Sequence, residues 1–146
     1  MDLARAGAKK AFEIGEVPIG AVVVRGDEVI ALAHNHRETA KNALGHAELL
    51  AIDEACKKLG GWRLIGCTMY VTLEPCLMCA GAIINSRIER LVYATRDPKA
   101  GAVDSLYDVL RDSRLNHQVE VIEGVLAEES SRLLKQFFQE LRRAKG

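Results

Sequence analysis

Met69 to Ala94 reads MYVTLEPCLMCAGAIINSRIERLVYA, and this stretch decides the fold. Met69–Leu73 is a short, apolar run of the kind that forms a buried strand. Leu77–Ser86 reads as a helix, with Pro75 expected at its first position, where a missing N–H costs nothing. Arg90–Ala94 is a second buried-type strand. Strand, helix and strand follow one another closely here, the alternation on which the fold class rests. Working outward, Leu3–Ile14 steps as a helix closed by Gly15, and Ile19–Val24 is a β-branched strand. Arg25-Gly26-Asp27 turns that strand into Glu28–Ala33, a hairpin signal. Ala47–Leu59 is a helix ended by Gly60-Gly61. After the quoted stretch come a short helix at Ser105–Leu110, a strand at Val119–Ile122 and an amphipathic helix at Ala127–Arg143. The order predicts an α/β protein, a three-layer α/β/α sandwich around a mixed sheet. Strand order does not follow from the pattern.

With 146 residues, 49% apolar and 27% charged, the chain has the size and composition of one globular domain, expected over residues 1–146. It shows no apolar run of about 18 residues, so a membrane span is not expected. Met1–Lys10 lacks the apolar centre of a signal peptide, which points to a cytoplasmic protein. Basic and acidic residues balance at 20 each, so net charge does not argue for a nucleic-acid partner. Locally, the stretch from Ser130 onward carries Arg132, Lys135, Arg142, Arg143 and Lys145 against the single acid Glu140. Such a helix is ordinarily a solvated face.

Two short motifs carry the chemistry: Gly45-His46-Ala47-Glu48 and Glu74-Pro75-Cys76-Leu77-Met78-Cys79. His-x-Glu by itself is weak, whereas Pro-Cys-x-x-Cys is rare, and each opens a predicted helix. A catalytic zinc takes three protein ligands and leaves a fourth position for water. Cys76 and Cys79 lie one helical turn apart, so both sulfurs can meet one ion, and the positive end of the helix favours thiolates there. His46 is expected from the first turn of the neighbouring helix. Glu48 sits about 200° further around that helix, beside the metal and not on it, where a carboxylate can move a water proton to a leaving amine. The cysteine pair could instead be redox-active, but that gives His46 and Glu48 no role. Four cysteines could hold a structural zinc, but Cys56 falls on an apolar helix face, and it and Cys67 read as small buried side chains. His34 and His36 form another conceivable ligand pair, more commonly a surface or supporting one.

His46-Ala47-Glu48 followed by Pro75-Cys76-x-x-Cys79 resembles the cytidine deaminase superfamily. Gly15-Glu16-Val17-Pro18-Ile19-Gly20-Ala21 and Ala33-His34-Asn35-x-Arg37-Glu38 narrow the resemblance to the bacterial tRNA-specific adenosine deaminases. Leu73–Ala82 and Leu115-Asn116-His117 do the same, so the likeness runs from about Ala11 to Arg143. The resemblance implies a cytidine deaminase-like fold with a five-stranded sheet, a homodimer and one zinc ion per subunit. It implies deamination of adenosine to inosine at the wobble position, with a tRNA anticodon stem-loop as partner. By position it implies His46, Cys76 and Cys79 as zinc ligands and Glu48 as the proton shuttle. It places Asn35 and Glu48 on the flipped base, and Val17, Pro18 and Ala47 around the base pocket. The Ala47 amide would face the attacking oxygen, and Asp97 would lie near the flanking nucleotides. Without the resemblance, Asn35 reads as a turn residue and Pro18 as a strand start. Gly45 stands where the family often has Ala, and the N-terminus looks short by several residues. The zinc motifs alone also fit a deaminase of a free base, nucleoside or nucleotide, or a noncatalytic zinc-stabilised RNA-binding module; Glu48 has no purpose in the last.

Overall fold

The computed structural model describes residues 1–145; Gly146, where the expected domain ends, lies outside the described residues. The elements in chain order are α1 (Asp2–Glu13), β1 (Gly20–Arg25), β2 (Glu28–His34), α2 (Ala47–Leu59), β3 (Cys67–Leu73), α3 (Leu77–Asn85), β4 (Arg90–Thr95), β5 (Glu120–Glu123) and α4 (Ala127–Lys145). One five-stranded sheet runs in the order β2-β1-β3-β4-β5. β1 is antiparallel to both β2 and β3, while β3–β4 and β4–β5 are parallel. The sheet is therefore mixed, as expected, with α1 and α4 on one face and α2 and α3 on the other.

Strand alternation divides the core. Ala21 and Val23 of β1, Met69 and Val71 of β3, and Leu91 and Tyr93 of β4 join Ala47, Ala51 and Ala55 of α2 and Ile83 of α3 in the larger layer. Each fully enclosed Met, Ile or Leu there contributes about 1.5–3 kcal/mol of transfer free energy. On the opposite face, α1 buries Ala4, Ala8 and Ala11, an i, i+4, i+7 stripe of methyl groups. Small residues let this helix lie almost on the backbone of β1. A Cβ at Gly20 would sit 1.9 Å from the Ala4 carbonyl oxygen and 2.7 Å from the Ala8 nitrogen.

The hairpin turn falls where the sequence places it, with Gly26 at a positive φ of 60° between β1 and β2. The expected helix at Ser105–Leu110 does not form; Ala102–Ser105 are turns and the chain after them is irregular. The amides of Val103, Asp104 and Ser105, in the turn that leads into this segment, donate to the Glu74 carboxylate. With Leu106 and Tyr107 about half exposed, at 52% and 53%, no buried apolar stripe pays for a helix here. β5 begins one residue later than the expected Val119, whose N–H instead turns back to the Leu110 carbonyl.

Substituting Gly20→Ala must push α1 off the sheet, because both nearby atoms are backbone. The expected loss is about 3 kcal/mol or more, at the upper end of overpacking costs, read as a lowered urea midpoint.

Candidate active site

Two helix N-termini meet at one point. His46 is the N-cap of α2 and Cys76 the N-cap of α3, both in extended backbone conformations, and Cys79 lies in the first turn of α3. His46 is thus one residue ahead of the helix that was expected to carry it, and Pro75 precedes the N-cap instead of occupying the first helical position. Pro75 keeps a purpose there, since its carbonyl accepts the N–H of Ala102 at 2.9 Å. Cys76 at the cap and Cys79 three residues on have the spacing of a capping pair, so both sulfurs turn back to the helix mouth.

The His46 Nδ1 lies 3.7 Å from Cys76 Sγ and 3.5 Å from Cys79 Sγ. Tetrahedral zinc, with bonds of about 2.0–2.1 Å to nitrogen and 2.3 Å to sulfur, requires a nitrogen–sulfur separation of about 3.6 Å. All three ligand atoms lie within 4.8 Å of one another, and among the described residues no other group of three or more His, Cys, Asp and Glu does so. Spacing and donor chemistry both fit zinc with a fourth position open. Cys56 and Cys67 stand apart from it; Cys67 is in the core and Cys56 packs on its edge. His34 and His36 also remain outside, their rings 4.2 Å apart.

Glu48 follows His46 on the first turn of α2 and is 5% exposed. Burial pushes its carboxyl above the ordinary value, against the pull of its own N–H and of His46. A buried carboxyl beside the ligand cluster is placed to take and return a proton. Cys76 is drawn the other way, down to about 3, chiefly by the hydrogen bond from the Cys79 thiol and then by His46. The Cys79 thiol is driven upward by that same shared hydrogen bond and by burial.

Among the residues expected around a base pocket, Asn35 is tied to Val17, and Ala47 stands between His46 and Glu48 at the start of α2. Asn35, 4% exposed, donates from Nδ2 to the Val17 carbonyl at 3.3 Å and accepts the Arg37 N–H at 3.2 Å. It is the turn residue that its local sequence suggests, and it also ties Val17-Pro18 to the end of β2. The neighbouring His36 N–H bonds the Gly45 carbonyl at 2.9 Å, so this corner abuts His46. Gly45 has little room for a side chain: a Cβ would lie 3.1 Å from the backbone of Arg37. Ala47 is fully buried behind the helix mouth. Asp97 is joined to the cluster through Glu74, which accepts its N–H at 3.0 Å.

Two acids escaped notice in the sequence. Glu16 is 1% exposed and accepts the N–H groups of Glu38 and Thr39, pinning the loop that leads to His46. Glu74 is 2% exposed and holds the segment 97–105. Burial would raise its carboxyl, but the Ser105 hydroxyl and the amides of Asp104, Ser105 and Asp97 hold it down to about 2. The available signal was an acid set inside an apolar, Pro-containing corner, as in Glu16-Val17-Pro18 and Glu74-Pro75.

A family model for MafB19-like deaminases matches residues 1–142. A tRNA-specific adenosine deaminase of Bacillus subtilis is 58% identical over 138 residues, 94% of this chain and 86% of that protein. A solved structure from a study of A-to-I editing by tRNA:A34 deaminases at the wobble position of transfer RNA superposes with a TM-score of 0.87. It is 44% identical, covering 91% of this chain and 96% of that one. A guanine deaminase of Nitrosomonas europaea superposes with a TM-score of 0.75 at 26% identity, covering 93% of this chain and 79% of that one.

His46→Ala and Cys79→Ala should each purify with little zinc and unfold at lower denaturant concentration, because the ion joins two helix starts. Elemental analysis finding one full equivalent of zinc in both variants would refute the ligand set.

Proposed function

Because the chain belongs to the MafB19-like deaminases and, among them, to the tRNA-specific adenosine deaminases, we propose that it converts adenosine to inosine at the wobble position of a tRNA anticodon. The observation that carries this reading is the convergence of His46, Cys76 and Cys79 beside the buried carboxyl of Glu48. The reaction adds water at C6 of adenine and releases ammonia. His46 Nδ1, Cys76 Sγ and Cys79 Sγ would hold one zinc ion per subunit. Bound there, zinc supplies Lewis acidity that makes water a nucleophile near neutral pH. The Glu48 carboxylate takes a proton from the attacking water and delivers it to the departing amine, ending in the state in which it began.

The surrounding residues orient the base. Asn35 has one N–H and a lone pair beyond those engaged with Val17 and Arg37, enough for the edge of a flipped base. Val17, Pro18 and Ala47 form apolar walls, and Asp97 lies toward the flanking nucleotides. The remaining assignments are a homodimer, one domain over the whole chain and a cytoplasmic location, where tRNA is modified and used. Among the described residues no helix is long and apolar enough to cross a membrane. Leu77 at the start of α3 and Leu106 and Tyr107 in the adjoining segment leave large apolar side chains about half exposed, which supports a second copy as their cover.

The likeness to a guanine deaminase favours one other reading, action on a free base. Incubation with an adenosine-containing anticodon stem-loop, free adenosine, cytidine and guanine separates the two. Inosine from the stem-loop alone is expected; efficient turnover of a free base or nucleoside would displace the tRNA reading. Glu48→Ala should keep zinc and stem-loop affinity while the rate falls by about 10²–10⁴-fold. Retention of more than about a tenth of the wild-type rate would remove Glu48 from the shuttle role. The exposed Arg142 and Arg143 near the end of α4 are assigned to phosphates. Replacing both by Ala should weaken stem-loop binding and flatten its salt dependence; identical binding at every salt concentration would leave them a solvated helix end.

A further inference from the structure

Glu74 stands between the end of β3 and the turn bearing Cys76, and the proton transfers above leave it unused. Its backbone N–H bonds the Thr95 carbonyl at 2.9 Å, fastening it to the end of β4. Its two carboxylate oxygens hold different things. Oε2 accepts three consecutive amides, those of Val103 at 3.0 Å, Asp104 at 2.7 Å and Ser105 at 2.9 Å. Oε1 accepts the Asp97 N–H at 3.0 Å and the Ser105 hydroxyl. The loop closes this tightly because residue 101 is glycine; a Cβ there would lie 2.3 Å from the Glu74 Cδ.

We propose that Glu74 is a positioning residue for the nucleic-acid substrate, with Oε1 fixing the backbone of Asp97 relative to the turn that carries Cys76. This rests on the reading of the chain as a tRNA deaminase in which Asp97 lies toward the flanking nucleotides. Asp97 turns its own Oδ1 back to the N–H groups of Lys99 at 3.1 Å and Ala100 at 3.2 Å. Its side-chain direction is therefore set by its backbone, and its backbone is set by Glu74. The result is a rigid spacer, one residue linking the site of base chemistry to the segment that meets the neighbouring nucleotide. A rigid spacer lowers the cost of ordering the loop when substrate binds, which is felt in affinity and not in the proton-transfer step.

The difference between the two oxygens gives a selective test. In Glu74→Gln the remaining carbonyl oxygen can keep the three amides of residues 103–105. The new NH2 then faces the Asp97 N–H, two donors without an acceptor between them, while the Ser105 hydroxyl can rotate to accept. With the stem-loop as substrate, KM should rise roughly tenfold, the factor expected from leaving a buried donor unsatisfied. The kcat and the zinc content should stay near wild type, and the KM effect should largely vanish in an Asp97→Ala background. A role confined to holding the fold predicts otherwise: a lower Tm and reduced kcat with KM unmoved, and that result overturns the proposal, as does an unchanged KM and kcat. Should Glu74→Gln not accumulate folded, Glu74→Asp decides, since it keeps both acceptor oxygens but withdraws them by one bond. A raised KM at near-wild-type kcat in that variant supports the proposal, and an unchanged KM overturns it. Wild-type enzyme inactive on the stem-loop would refute the tRNA reading itself. Active wild type with KM unmoved in the variants would refute only the role of Glu74.

Discussion

An imidazole, two thiols and a buried carboxyl share one small volume at the mouths of α2 and α3, and the architecture is arranged around that crowding. The ligand atoms lie within 4.8 Å of one another, with Glu48 beside them. The titration of each group is bent by the others: Cys76 is drawn down, Cys79 is driven up against it, and Glu48 is raised by burial. Such a set is self-opposing as a collection of free acids. A divalent cation reverses the balance, because both sulfurs can then be thiolates and their mutual repulsion is outweighed by attraction to a common centre. The positive ends of two helix dipoles add to the same effect. For the ligands to meet, α2 and α3 must start at the same level above the sheet, and that requirement sets where β3 ends and where the loop before His46 must close.

Two glutamates meet the requirement. Glu16 pins the amides of Glu38 and Thr39 on the side of His46, and Glu74 pins residues 97–105 on the side of Cys76. Loops at a site cannot satisfy their own backbone N–H groups once they are buried. A carboxylate is an efficient remedy, since it has about four acceptor positions and no donor of its own. In both cases the acid is fastened next to the motif it supports, within a few residues of Val17-Pro18 or of Cys76, so the loop and the site are referenced to the same point. Glycine completes the second clamp: at Gly101 any side chain would occupy the space of the carboxylate itself.

This division explains what could be read from the sequence. The strands and longer helices were legible because their side chains alternate or step with the right period, and the meeting of His46, Cys76 and Cys79 was legible because metal chemistry restricts both residue type and spacing. The helix expected at Ser105–Leu110 failed for a reason no local pattern holds. The turn that leads into it is fastened to Glu74, 29 to 31 residues earlier in the chain, and the N–H groups of Leu106 and Val109 reach back to the Gly101 and Ala102 carbonyls instead of closing a helical ladder. The placing of Pro75 one step outside α3 is likewise tertiary, since its carbonyl is used by Ala102. Strand order was out of reach because antiparallel pairing of β1 with both β2 and β3 leaves no mark on a single strand. Asn35 shows the opposite case, in which the local reading as a turn residue and the family reading as a base contact are compatible. Its carboxamide serves Val17 and Arg37 and still has capacity for a ligand.

The site also bears on how large a substrate must be. The proposed ligands and shuttle account for a hydrolytic deamination and say nothing of what carries the amine, as the likeness to a guanine deaminase makes plain. Selectivity has to come from the rim. Beside the ligand cluster, loop backbone is held by the carboxylates of Glu16 and Glu74. Basic residues run along α4: the helix starts beside Thr95, at the sheet end that leads to Asp97, with Arg132 and Lys135 near that start, and Arg142 stands fifteen residues beyond Ala127. At 1.5 Å per residue that is roughly 22 Å of helix. A single nucleoside cannot span such a length of helix, whereas several nucleotides of a folded stem can. On the proposed reading, the basic residues spread along α4 are themselves a selective device. Only a substrate that presents an unstacked base together with an extended phosphate backbone gains from both the site and the helix.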